Sequence, residues 1–116
     1  MICPPTSFEI ILKNFQRILD LPESVMQAVI RKSFATHGKN IRDAINTLNN
    51  VKSITCRGLV LHDEGDIDIS WHSGEEIADA WPGAKFIKTS GLGHRRIIRD
   101  QDVIDHVIKF LNVDSD

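Results

Sequence analysis

The chain has 116 residues and a formal net charge of −2, with 41% hydrophobic and 26% charged residues. That length suits one domain, and that balance belongs to a globular chain rather than a disordered one. The small net charge supplies no electrostatic drive toward nucleic acid or an anionic membrane, and no apolar run approaches the ~20 residues of a membrane helix. The opening MICPPTSF has neither the basic nor the apolar region of a secretory signal, and Cys3 and Cys56 stand far apart without metal-ligand spacing. Reduced thiols in a cytoplasmic protein are the expectation.

Residues 1–7, with Pro4 and Pro5, predict an extended lead-in. Phe8, Ile11, Leu12, Phe15, Ile18 and Leu19 recur at helical spacing and predict a first amphipathic helix. Pro22 stops it and opens a second, with Val25, Val29, Ile30 and Phe34 as its apolar stripe and Gly38 as its end. Asn40 is placed to cap a third helix carrying Ile41, Ala44, Ile45 and Leu48. The pattern describes a packed helical segment over residues 1–53, in which no side chain stands out as catalytic. His37 sits near a helix end, where a protonated ring suits the dipole.

The organisation changes at residue 54. Gly58-Leu59-Val60-Leu61-His62 is short and apolar, as a strand buried on both faces would be. Ala84 to Thr89 is a second strand-sized run. The link between them is long enough for a crossover helix, so the two strands should run parallel. Ser70 or Ser73 can cap that helix; Ser73 with Glu76 fits a capping box, and Pro82-Gly83 breaks the helix. Asp100 is placed to cap a last helix with the stripe Val103, Ile104, Val107, Ile108 and Leu111. Residues 54–116 thus predict a β-α-β-α unit, and the chain as a whole an α/β protein.

Parallel strands bring their carboxyl ends to one edge, where open α/β sheets place their sites. Asp66 and His94 each follow such an end. The segments around them, His62-Asp63-Glu64-Gly65-Asp66 and Gly91-Leu92-Gly93-His94-Arg95-Arg96, together with the turn Trp81-Pro82-Gly83-Ala84 and the helix Val103 to Leu111, resemble the last third of an α/β-hydrolase over roughly residues 54–112. The resemblance implies an incomplete α/β-hydrolase fold in which Asp66 is the catalytic acid and His94 the catalytic histidine. It also implies that residues 1–53 are the cap that such enzymes insert before the acid-bearing strand. The family often carries a proline just before that strand; here Arg57 occupies the neighbourhood.

A Ser-His-acid site needs a serine to attack, a histidine to carry its proton and an acid to orient the histidine. In the family the nucleophile precedes the acid on a G-x-S-x-G elbow. None of the eight serines, at 7, 24, 33, 53, 70, 73, 90 and 115, has the flanking glycines. Acid and histidine without a nucleophile predict a truncated, hydrolase-like protein that is inactive alone. Two further readings stay open: an ester hydrolase whose nucleophile comes from another chain, and a small-molecule or anion-binding module using Arg95, Arg96 and Arg99. Two strands alone are marginally stable and leave two open edges, which predicts completion by self-association into a homo-oligomer. The loop Asp63-Glu64-Gly65-Asp66-Ile67-Asp68 is rich in carboxylates but lacks EF-hand spacing, and Gly91-x-Gly93-x-x-Arg96 falls short of a dinucleotide fingerprint. No metal and no cofactor are therefore expected. His62 is expected as a packed or capping histidine, and Trp71 and Trp81 as core or interface anchors.

Overall fold

The computed structural model describes residues 1–112. Strands β1 (Gly58–Asp63) and β2 (Ala84–Thr89) pair in parallel, from Gly58 opposite Ala84 to Asp63 opposite Thr89. Side chains alternate across a strand, so β1 feeds two cores. Leu59 and Leu61 join Cys3, Ile97 and Val103 on one face, while Val60 joins Val51, Ile77 and Ala78 on the other. Every residue of β1 is buried, as its unbroken apolar pattern requires. Helix α5 (Trp71–Ala80) is the crossover, and it supplies Ile77 and Ala78 to the second core. A 3₁₀ turn (Ile97–Arg99) and the last helix (Gln101–Asn112) close the first core with Ile97, Val103 and Val107. Asp100 caps that helix by accepting from the Val103 N–H at 3.1 Å.

Gly58 opens β1 because the Trp81 indole lies across it; a Cβ there would meet the ring at 2.7 Å. Trp81 also donates its Nε1–H to the Cys56 carbonyl, so it locks the strand entrance.

Residues 1–3 do more than lead in. Ile2 bridges Leu61 in parallel, Leu61 N–H donates to the Met1 carbonyl at 3.0 Å, and Cys3 N–H donates to the Leu61 carbonyl at 2.9 Å. The Met1 amine donates to the Leu59 carbonyl at 2.6 Å, and burial lowers its pKa. The free edge expected on β1 is therefore partly covered from within the chain. Cys3 ends this segment with φ of 47°, a left-handed backbone uncommon for a residue with a side chain.

The helical segment comprises α1 (Phe8–Leu19), α2 (Glu23–His37), and single turns α3 (Ile41–Ala44) and α4 (Thr47–Asn50). The expected third helix is thus broken in two. Ile45 and Asn46 interrupt it, and Asn46 caps α4 by accepting the Asn49 N–H at its Oδ1, a bond that competes with helix continuation. Asn40 makes no side-chain cap. Nor does Ser73 box α5: the helix starts two residues earlier, at Trp71, and Ser70 Oγ instead lies 3.1 Å from His72 Nδ1. Arg17 at the end of α1 donates to the Ile67 carbonyl at 2.9 Å and lies 3.8 Å from Asp68, so Asp68 is ion-paired rather than simply solvated. This ties α1 to the loop after β1.

The radius of gyration is 16.1 Å, where a compact chain of about 100 residues has about 13 Å. Much of the apolar stripe of α1 remains exposed, including Phe15 at 44% and Ile18 at 54%.

Candidate functional site

The carboxyl ends of β1 and β2 lead into two loops that converge. Asp63, the last residue of β1, is fully buried. Its Oδ1 accepts from Gly65 N–H at 2.9 Å and Gly93 N–H at 2.8 Å; its Oδ2 accepts from Leu92 N–H at 3.0 Å and Thr89 Oγ1–H at 2.8 Å. Burial alone would raise its pKa, but the bonds from Gly93, Thr89, Leu92 and Gly65 outweigh it and hold the carboxyl below its ordinary range. Asp63 is therefore the post that fixes the turn carrying His94. That turn takes φ of 77° at Gly91 and 66° at Gly93, values that glycine adopts without steric cost.

Asp66 is 9% exposed and makes the second buried carboxylate. Its Oδ1 accepts from the Asp68 and Ile69 N–H groups, both at 2.9 Å. Its Oδ2 lies 2.7 Å from His94 Nδ1 and 3.1 Å from His62 Nε2. Burial again works to raise the pKa, and the bonds from Ile69, His94 and Asp68 lower it below the usual carboxylate value. The residues proposed as acid and histidine are thus in direct contact, 28 positions apart in the chain. The His94 side chain is 35% exposed, whereas that of Asp66 is closed to solvent. One nitrogen of the ring is fixed by the acid, and the ring faces a cleft lined by Gly65, Ile67, Asp68, Leu92 and Gly93.

His62 is a packed histidine. It is wholly buried, with Nε2 shared between Asp66 and the Ile69 carbonyl at 3.0 Å. Its Nδ1 has no hydrogen-bond partner and faces Gly74 of α5, where a Cβ would come within 2.6 Å of it.

The unexpected member of the site is Cys3. Among the described residues, Cys3, Asp66 and His94 form the one group of three potential metal ligands, with donor atoms all within 4.8 Å of one another. Burial pushes the thiol up to about 12, and the carboxylate of Asp66 adds to that. No local motif links Cys3 to this rim. The approach exists because Met1–Cys3 docks beside β1 and delivers its end to the same edge as Asp63.

Arg96 donates to the carbonyls of Gly91 at 2.8 Å and Leu92 at 3.1 Å, bracing the glycine turn. Glu64 accepts from Ser90 Oγ at 2.6 Å and lies 3.9 Å from Lys88. Trp71 stacks on His72 and receives the Lys88 ammonium 4.2 Å from its ring centroid. No helix among the described residues is long and apolar enough to cross a membrane.

The chain matches no protein-family model, and no curated protein gives a significant match.

Proposed function

We propose that this chain carries the acid–histidine half of an α/β-hydrolase-like site and is inert toward esters by itself. The observation that supports the reading is the 2.7 Å contact between His94 Nδ1 and Asp66 Oδ2 at the carboxyl rim of two parallel strands. A buried acid on one ring nitrogen orients the imidazole and stabilises its charged form, which is the acid's role in such a triad. The other ring nitrogen is then the one that would take a proton from a nucleophile, and the partly exposed edge of His94 gives it access to the cleft.

No serine stands in a G-x-S-x-G elbow to answer that need. Cys3 brings a thiol to within 4.8 Å of the pair, but burial and Asp66 disfavour its thiolate, and the thiolate is the attacking species. Losing the nucleophile in a hydrolase of this kind costs about 10⁶-fold in turnover. A second chain is the remaining source of one. The exposed stripe of α1 supports a role for such a chain, as do Ile104, Ile108 and Leu111 on the helix Gln101–Asn112. In this reading the chain self-associates or docks to a partner through these faces.

The test is hydrolysis of p-nitrophenyl esters by the purified chain, beside its His94→Ala and Cys3→Ala variants. The expected result is that all three match the uncatalysed rate. Turnover lost in both variants would overturn the claim of inertness and make Cys3 the nucleophile.

A further inference from the structure

We propose that Cys3, Asp66 and His94 form a binding site for a zinc-class divalent ion. This inference goes beyond the hydrolase reading and does not rest on it, since it needs only the three side chains and their surroundings.

The donor set is selective. One sulfur, one imidazole nitrogen and one carboxylate oxygen suit a borderline-soft ion such as Zn²⁺, while Mg²⁺ and Ca²⁺ require shells built of oxygen. The separation is close to what coordination needs. Zinc bonds of about 2.3 Å to sulfur and 2.0–2.1 Å to nitrogen or oxygen set tetrahedral donors roughly 3.5 Å apart. The three donors already lie within 4.8 Å of one another, and His94 Nδ1 lies 2.7 Å from Asp66 Oδ2, so small side-chain rotations that part this hydrogen-bonded pair adjust the spacing. The His94 ring, the most exposed of the three, supplies one of these movements.

The surroundings are built for a fixed ligand set. Asp66 Oδ1 is held by the Asp68 and Ile69 N–H groups, and Oδ2 by His62 Nε2, so the carboxylate is oriented before an ion arrives. Gly93 fixes the turn that aims His94, and Asp63 fixes that turn to β1. Cys3 is placed by two hydrogen-bonded crossings between its segment and Leu61. A thiolate and a carboxylate together balance the two charges of the ion when the thiol gives up its proton to solvent. Three protein ligands leave a fourth position for water or an exogenous ligand, as in zinc sites that are not purely structural. An ion held here occupies the acid and the histidine together, so binding and the proton transfer described above exclude each other.

The experiment uses the full chain with Cys56→Ser, which removes the other, exposed thiol. Cobalt(II) is titrated in as an optical probe, followed by zinc. The expected result is one equivalent of cobalt, a near-ultraviolet sulfur-to-cobalt charge-transfer band, and its loss when zinc is added. Adding Cys3→Ser removes the band, and Asp66→Asn weakens binding by about tenfold or more. If the Cys56→Ser protein shows no such band, or if the band survives Cys3→Ser, the proposal is overturned. The first of these needs no substitution at the site, so a misfolded variant cannot rescue the idea. Ester turnover is read separately and bears only on the hydrolase reading.

Discussion

Asp63→Asn is the sharpest probe of how the rim is held together. The substitution keeps shape and removes charge and one acceptor. In the native site two oxygens serve four donors: Gly65 N–H and Gly93 N–H on one, Leu92 N–H and Thr89 Oγ1–H on the other. The least costly amide orientation keeps its oxygen toward Gly65 and Gly93. Its NH₂ then faces Leu92 and Thr89. The threonine hydroxyl can rotate and accept, but the Leu92 N–H loses its partner at a cost of about 1–3 kcal/mol. The bonds that remain lose charge assistance, which roughly halves their strength. The sum is about 2–4 kcal/mol, a large share of the 5–15 kcal/mol that holds a typical domain. In urea, with m of about 1.5 kcal/mol/M, the midpoint should fall by roughly 1.3–2.7 M at unchanged m. A fall of less than about 0.5 M would mean that Asp63 does not anchor the histidine turn, and the account of the rim would be wrong.

Acid should unfold the protein through the same groups. Asp63 and Asp66 both have folded pKa values below their ordinary one. Their contribution is complete above the unfolded value of about 3.9 and is lost as pH falls from there through the folded values. Stability measured by urea titration should therefore drop steeply below about pH 4, and Asp63→Asn should flatten that limb; an unchanged slope in the variant contradicts the assignment. Gly74→Ala should destabilise by about 1–3 kcal/mol through overpacking against buried His62, despite the roughly 1 kcal/mol that alanine gains in a helix interior; a more stable variant would show that His62 has room to move. Finally, Phe15→Glu combined with Ile18→Lys should leave stability within about 0.5 kcal/mol, since both side chains are half exposed, yet abolish self-association seen by light scattering. A wild-type chain that is monomeric at every concentration removes the basis for that association.

The parallel pair was legible because two short apolar runs flank a link of helical length, and the burial of β1 on both faces follows from its unbroken pattern. Asp66 and His94 meet because each follows a strand of that pair, so topology alone carries them to one edge. Cys3 was not legible. Its approach depends on a three-residue segment pairing with Leu61, 58 or more positions away, and Pro4-Pro5 after it reads only as extended chain. The role of Asp63 was hidden for a different reason. Three of its four partners are backbone N–H groups, which any residue would supply, so only Thr89 and the glycines of the facing turn hinted at it. The third helix failed where short polar side chains found local backbone partners, as Asn46 does with Asn49.

Helix α5 (Trp71–Ala80) begins with one indole and is followed at once by another, Trp81. The first sits among His72 and Lys88 near the rim, and the second lies on Gly58 at the opposite end of the strands. Single-tryptophan versions of the protein would thus carry two separate lamps. Emission from position 71 would follow ionisation and ligands at the working edge, while emission from position 81 would follow only whether the sheet is assembled. Changes in chemistry and changes in folding could then be told apart in one cuvette.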